Sequence, residues 1–380
     1  MRITEIDCIL LTAPYGEPPV ACQRSYGVVV VGTDDGRRGY GEPYAAVNMP
    51  TVCREIVRLL QPEIVGQDGE PIDPLIDRLH NLCEYFDHRG MASCVVGAID
   101  WALHDLAAQR AQIPLHRMLN RGSADSVALY ASTNPTYWSP QRVVDEIHRV
   151  RDQGFQTTKL RAGGNSESVT EAIRRVNTIC EKVGDMIRLG LDVGQQVFWE
   201  PSTWSVADVR PLVERLRDLR LLFLEDPLLI HDYAGYQELV AMNCVPIAGG
   251  EMFAEPEPFE RYIRGDAIDV VQPDAAVVPG PQAVLRIGRC AAECGKPVVM
   301  HGWAGPVAQM QNIHAALAIE ACDLVEYCTL KHPLLREGLQ PVWQFDDGRL
   351  RAPQSPGLGI DLGTDLLDRY PFMNVSSLIA

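Results

Sequence analysis

From about Ser126 onward the chain repeats one unit: a short apolar run that closes on a polar residue, followed by a helical stretch. The runs close near Ser132, Arg161, Asp192, Glu225, Glu251, Asp274, His301 and Glu326, and from Lys159 the marked residues follow one another at intervals of 23 to 33 residues. A strand that must lie parallel to the one before it needs a crossover of a dozen or more residues, usually a helix. Eight such units predict an α/β fold, a closed (β/α)8 TIM-type barrel, over residues 123–351. A doubly wound sheet repeats the same unit, but neither a Gly-x-Gly-x-x-Gly nor a Walker loop is present to support it.

The first 122 residues read differently. Ile3 to Leu11 and Tyr26 to Gly32 are strand-like, Asp35-Gly36 marks a hairpin turn, a strand from Arg37 to Glu42 follows, and helical patterns run near 52–62, 73–86 and 92–111. This is the pattern of an α+β amino-terminal capping domain. Residues 352–380, after a second turn at Asp346-Asp347-Gly348, are expected to return to that domain and complete it.

Fifty acids against 34 Lys and Arg give a net charge of −16, which disfavours nucleic acid and anionic membrane as partners. The charged start, Arg2 and Glu5, does not read as a signal peptide, and no apolar run approaches the length of a membrane span, so a soluble cytoplasmic protein is expected. The eleven cysteines are odd in number, scattered, and without a Cys-x-x-Cys pair, which predicts reduced thiols. Cys290 and Cys294 read as small apolar helix residues, and His80, His104, His148 and His314 as core or surface positions.

In a barrel of parallel strands the chemistry gathers at the carboxyl ends of the strands. Asp192, Glu225 and Glu251 place carboxylates on three successive strands, where they would repel one another without a cation between them. Hard oxygen donors in an incomplete shell select Mg2+ or a similar ion and leave room for a substrate carboxylate. Lys159 and Arg161 flank Leu160, so strand alternation sends both cations to one side. Asp274 and His301 close neighbouring strands, an arrangement that fixes a histidine tautomer and supports proton transfer. Glu326 closes the ring.

In their order these residues resemble the enolase superfamily, and within it the mandelate racemase subgroup. Lys159-Leu160-Arg161 is similar to its Lys-x-Lys or Lys-x-Arg element. Asp192, Glu225 in Glu225-Asp226-Pro227, and Glu251 in Gly249-Gly250-Glu251 resemble its metal ligands. Asp274 and His301 resemble its dyad, and Glu326 its last-strand acid. Gly39-Tyr40-Gly41-Glu42 and Pro356-Gly357-Leu358-Gly359 resemble its capping domain and tail. The resemblance implies Mg2+-assisted removal of the proton beside a carboxylate, giving an enediolate. It implies a small carboxylate as substrate and, by analogy, a homo-oligomer. Like-charge crowding is expected to keep Glu326 protonated, as a donor to the substrate carboxylate.

Two departures bear on the reaction. Asp192-Val193-Gly194 stands where members carry Asp-x-Asn, leaving Gln195 or Gln196 to supply any amide. Arg161 stands where racemases carry a second lysine base, and a guanidinium stays protonated. One residue, His301, suffices for dehydration: it removes the α-proton and then protonates the departing β-hydroxyl. The expected activity is therefore that of an acid-sugar dehydratase. Cycloisomerisation of a lactone or anhydro acid stands as the alternative, racemisation behind it, and a barrel that binds metal and ligand without turnover as the reading from another class. Arg24, in the segment Ala13 to Ser25, and Trp303, beside His301, are the candidate substrate-binding residues, with the stretch 44–50 as a second covering loop.

Overall fold

The computed structural model describes residues 1–18, 21–85, 90–163, 167–194 and 204–374. The chain opens with an antiparallel sheet of β1 (Ile3–Tyr15), β2 (Cys22–Thr33) and β3 (Arg38–Gly41), in that spatial order. Helices α1 (Pro50–Ile64), α2 (Ile72–Cys83), α3 (Met91–Ala111) and the short α4 (Leu115–Leu119) follow. Strand β3 lies flush on α3: a Cβ at Gly41 would stand 1.9 Å from the carbonyl oxygen of Ala98. That close approach is what the Gly39-Tyr40-Gly41 alternation permits.

Helix α3 corrects one expectation. By length and composition it could cross a membrane, yet 94% of its apolar window is buried inside the protein. It is the shared core helix on which the sheet, α1 and α2 pack, and Trp101 on it donates its indole N–H to Ala275 of the barrel at 2.9 Å.

The barrel strands are β4 (Ser126–Ser132), β5 (Thr157–Arg161), β6 (Arg188–Asp192), β7 (Leu224–Glu225), β8 (Ile247–Gly249), β9 (Val270–Val271), β10 (Val298–Met300) and β11 (Cys322–Cys328). Each pairs in parallel with the next, and β11 pairs with β4, so the ring is closed. The crossovers are α5 (Pro140–Asp152), α6 (Val169–Val183), α7 (Val206–Leu216), α8 (Tyr233–Ala241), α9 (Pro256–Arg264), α10 (Pro281–Glu293) and α11 (Pro306–Ala318). Capping boxes at Ser168/Glu171 and Ser205/Asp208 start α6 and α7. Tyr130, Phe223, Ala248, Val270 and Val299 fill the interior of the ring.

After α12 (Pro333–Leu339), the hairpin β12 (Phe345–Asp346) and β13 (Arg349–Arg351) turns through Asp347 and Gly348, both at positive φ, and lies antiparallel to the start of β4. The tail then runs along the amino-terminal layer: Leu115 N donates to Gly357 O, Leu358 N to Asp105 Oδ1, and Thr12 N to Tyr370 O just beyond α13 (Thr364–Arg369). All eleven cysteines are free thiols; Cys290 is buried and Cys294 half-buried. His104 pairs with Asp100, buried His314 accepts from His116 N, and His148 is exposed.

Candidate active site

Backbone register sets one rim of the site. Ser132 stands opposite Lys159, Arg161 opposite Asp192, and Asp192 opposite Glu225, so these residues lie side by side across adjacent strands. The later residues depart from the simple pattern. Glu251 lies two residues beyond β8, after Gly250, whose φ of 121° and whose approach to Phe259 exclude a side chain. Asp274 lies three residues beyond β9, His301 directly after β10, and Glu326 inside β11 opposite Tyr130.

The side chains form one ion-pair network. Lys159, 1% exposed, holds Glu225 at 2.7 Å, Glu326 at 2.9 Å and Asp192 at 3.5 Å. Arg161 holds Asp192 at 3.0 Å and lies over the Trp303 ring, 5.0 Å from its centroid. His301 Nδ1 meets Asp274 Oδ2 at 2.7 Å, while Nε2 faces Glu251 at 3.2 Å and Glu326 at 3.7 Å. Asp274 is itself fixed on its other oxygen by Ala276 N–H and Asn312 Nδ2, which leaves Oδ2 to orient the imidazole.

Burial disfavours charge on Lys159 and His301, but the carboxylates outweigh it. Glu225 and Glu326 hold Lys159 well above the ordinary lysine range, and Glu251, Glu326 and Asp274 do the same for His301. Glu225 is pushed up to about 8, first by burial and then by Asp192, Glu326 and Glu251, against the pull of Lys159. Glu326 behaves oppositely to expectation: despite burial, Lys159, His301 and Arg161 bring it down to about 2. Three facing cations thus pull against the protonated form that like-charge crowding leads one to expect.

Among the described residues no three His, Cys, Asp or Glu side chains converge at ion-binding distance. Asp192 and Glu225 turn instead to Lys159 and Arg161, and Glu251 to His301. The donor set still fits a hard divalent ion: three carboxylates from successive strands share one rim, and Glu225 carries anionic crowding that a cation would relieve. Gln195 and Gln196 lie outside the described residues.

Residues 142–366 match the family described as Enolase C-terminal domain-like, and residues 20–120 the Mandelate racemase / muconate lactonizing enzyme N-terminal domain. The chain belongs to the mandelate racemase/muconate lactonizing enzyme family of the enolase superfamily. Membership implies a divalent metal. Among curated members, it is 28% identical over 346 residues to the arabinonate dehydratase of Saccharolobus solfataricus, covering 89% of this chain and 88% of the relative. It is 29% identical over 329 residues to the L-talarate/galactarate dehydratase of Salmonella typhimurium, covering 86% and 78%. A solved enolase superfamily member from Polaromonas sp. JS666 superimposes with a TM-score of 0.86 at 25% identity, covering 99% of each chain. The 3,6-anhydro-D-galactonate cycloisomerase of Zobellia galactanivorans shares the fold, with a TM-score of 0.86 at 22% identity over 97% and 99% of the two chains.

Within this family member, several site neighbours escaped sequence reasoning. Gln272, inside the Gln272-Pro273-Asp274 motif, donates to Glu225 at 2.8 Å. Asp226, 2% exposed, adds a fourth carboxylate beside the three. Tyr44, at the start of the expected second covering loop, packs against His301 with ring centroids 5.8 Å apart, a contact the sequence did not specify. Glu42 accepts from Gly305 N–H and Ala308 N–H, so a residue at the end of β3 caps α11 and braces the loop that carries His301 and Trp303. The signal was in view for Gln272 and Glu42, both in motifs of the resemblance, but no local pattern announces a cap that arrives from another layer.

Burial outweighs the backbone donors and raises Glu42 to about 7 from an ordinary 4.5. The native state thus keeps its proton to higher pH than the unfolded chain, and this group's contribution to stability falls as pH rises from about 4.5 to about 7. Glu42→Gln should remove that slope. The urea-unfolding free energy of the wild type relative to E42Q should drop between pH 4.5 and pH 8, by up to roughly 3 kcal/mol. A difference that is flat across this range would contradict the assignment.

Proposed function

We propose that this protein is a Mg2+-dependent acid-sugar dehydratase, a hydro-lyase that converts a sugar acid to its 2-keto-3-deoxy acid. The observation that carries the reading is His301 at the mouth, oriented by Asp274 through Nδ1, with Nε2 turned towards Glu251 on the rim of carboxylates at 3.2 Å. The curated relatives named as dehydratases of arabinonate, galactarate and galactonate support the substrate class.

Asp192, Glu225 and Glu251 would hold the metal, which when bound supplies a positive charge for the substrate carboxylate and for the charge that grows on it when the α-proton leaves. Glu251 is one of the carboxylates that hold His301 protonated; as a metal ligand its charge would be offset, so that a neutral Nε2 takes that proton, and the Nδ1 hydrogen bond to Asp274 stabilises the resulting imidazolium. The same imidazolium then donates to the β-hydroxyl as it departs, so one group serves as base and acid. Lys159 and Arg161, both held charged, stabilise the carboxylate end and do not accept protons. Among the described residues that leaves no second base opposite His301, which disfavours racemisation. Arg24 and Trp303 bind the remainder of the substrate.

The test is incubation with Mg2+ and a panel of aldonic and aldaric acids, followed by mass analysis. A product lighter by one water with a 2-keto group is expected. An isomer of unchanged mass formed from the corresponding lactone or anhydro acid would point to cycloisomerisation by the same proton removal, an equal-mass product from an open-chain acid to epimerisation, and absence of every product and of α-proton exchange would remove the enzymatic reading.

A further inference from the structure

Arg24 is the buried cation that the network above leaves out. It is 7% exposed, yet among the described residues no carboxylate pairs with it. Its guanidinium stands only over aromatic rings, 4.6 Å from the centroid of Tyr15 and 5.9 Å from that of Tyr26. An unpaired buried charge is costly, and the faces of two phenols offset a small part of that cost.

Its place in the fold gives the cation a use. Arg24 and Tyr26 are two residues apart on β2 and share a face. The Tyr26 hydroxyl bonds His332 Nε2 at 2.9 Å, and that nitrogen lies 3.2 Å from Ala304 O. This face of β2 is therefore docked on the loops after β10 and β11, next to His301. Tyr15 reaches Trp303 with ring centroids 6.5 Å apart, and Trp303 carries Arg161. Two guanidinia thus stand at opposite ends of a Tyr15–Trp303 wall; the one at the metal end is paired with Asp192, and the one at the far end has no carboxylate partner among the described residues.

Building on the dehydratase reading, we propose that Arg24 receives the distal carboxylate of an aldaric acid, so that the substrate is a sugar diacid and not a monoacid. One guanidinium neutralises one carboxylate and can grip it through two parallel hydrogen bonds. A terminal phosphate, with its second negative charge, would be left half-compensated.

The experiment measures binding, so it does not depend on turnover. His301→Asn protein with Mg2+ is titrated calorimetrically with matched pairs that differ only at C6, such as galactarate against galactonate and glucarate against gluconate. The titration is repeated with Arg24→Met in the same background. At least one diacid is expected to bind about 30-fold or more tighter than its monoacid, as for a buried charge pair, and the ratio should collapse towards one in the Arg24→Met protein. Equal binding within every pair, no binding of any member, or a ratio that survives Arg24→Met overturns the proposal. Failure of the dehydratase reading shows elsewhere, as wild-type protein that removes neither water nor an α-proton from any acid. Thermal midpoints of both Arg24 forms separate loss of packing from loss of the subsite, since packing alone does not move the diacid-to-monoacid ratio.

Discussion

His301→Asn should lower turnover by about 10^4-fold while leaving the thermal midpoint within a few degrees of the wild type. Asparagine fills a similar volume and can still bond Asp274, so the surrounding packing, including the Tyr44 ring, keeps its support. It cannot carry a proton between substrate carbon and leaving hydroxyl. Because the same group acts in both steps, exchange of the α-hydrogen with deuterated solvent should disappear together with product. Retention of more than a tenth of the wild-type exchange rate would mean that another residue removes the proton. Lys159 would then be the group to test, despite the carboxylates that hold its charge.

The second large effect is expected at Lys159. Its ammonium is enclosed by Glu225, Glu326 and Asp192, all almost fully buried. Lys159→Met keeps much of the volume but leaves three carboxylates facing one another, and breaking such a buried pair costs on the order of 3–5 kcal/mol. In chelator-treated protein the thermal midpoint should fall by several degrees. Added Mg2+ should recover part of that loss, because a divalent ion restores positive charge to the same carboxylates, whereas turnover should remain at least 100-fold down, since the cation at the substrate carboxylate is still missing. Lys159→Arg, which keeps the charge, should lose less stability than the methionine variant. An unchanged midpoint for Lys159→Met without metal would refute the account of the network.

Much of this site was legible because barrel chemistry is written on strand ends. A residue that closes an apolar run in one βα unit is brought beside its counterpart in the next unit by register alone, as Arg161, Asp192 and Glu225 are. The dyad of Asp274 and His301 was readable for a related reason, with Asp274 three positions past its strand and His301 directly after its own. What was not legible depends on side-chain direction and on distant layers. Crowding alone predicted a protonated Glu326, but the sum over Lys159, His301 and Arg161 reverses the sign. Asp226 was masked by its neighbour Glu225, and nothing local to Glu42 says that it caps a helix starting more than 260 residues later. The apolar length of α3 was underestimated because Asp100, His104 and Asp105 interrupt it. Their partners in the fold, such as Leu358 N–H on Asp105, make those groups tolerable in a core.

By itself the sequence determined the closed ring of βα units, the order of acids, cations and histidine around it, and the presence of a different layer before it. These follow from local periodicity and from the geometry of parallel strands, which need no knowledge of distant contacts. Only the tertiary structure decided how the charges are shared: Lys159 spans three carboxylates, three cations pull Glu326 towards its charged form, and Arg24 lies beneath two tyrosines with no carboxylate partner among the described residues. The reason is physical. Periodicity places a residue on a face, but the free energy of a buried charge is set by every group around it, most of them far away along the chain.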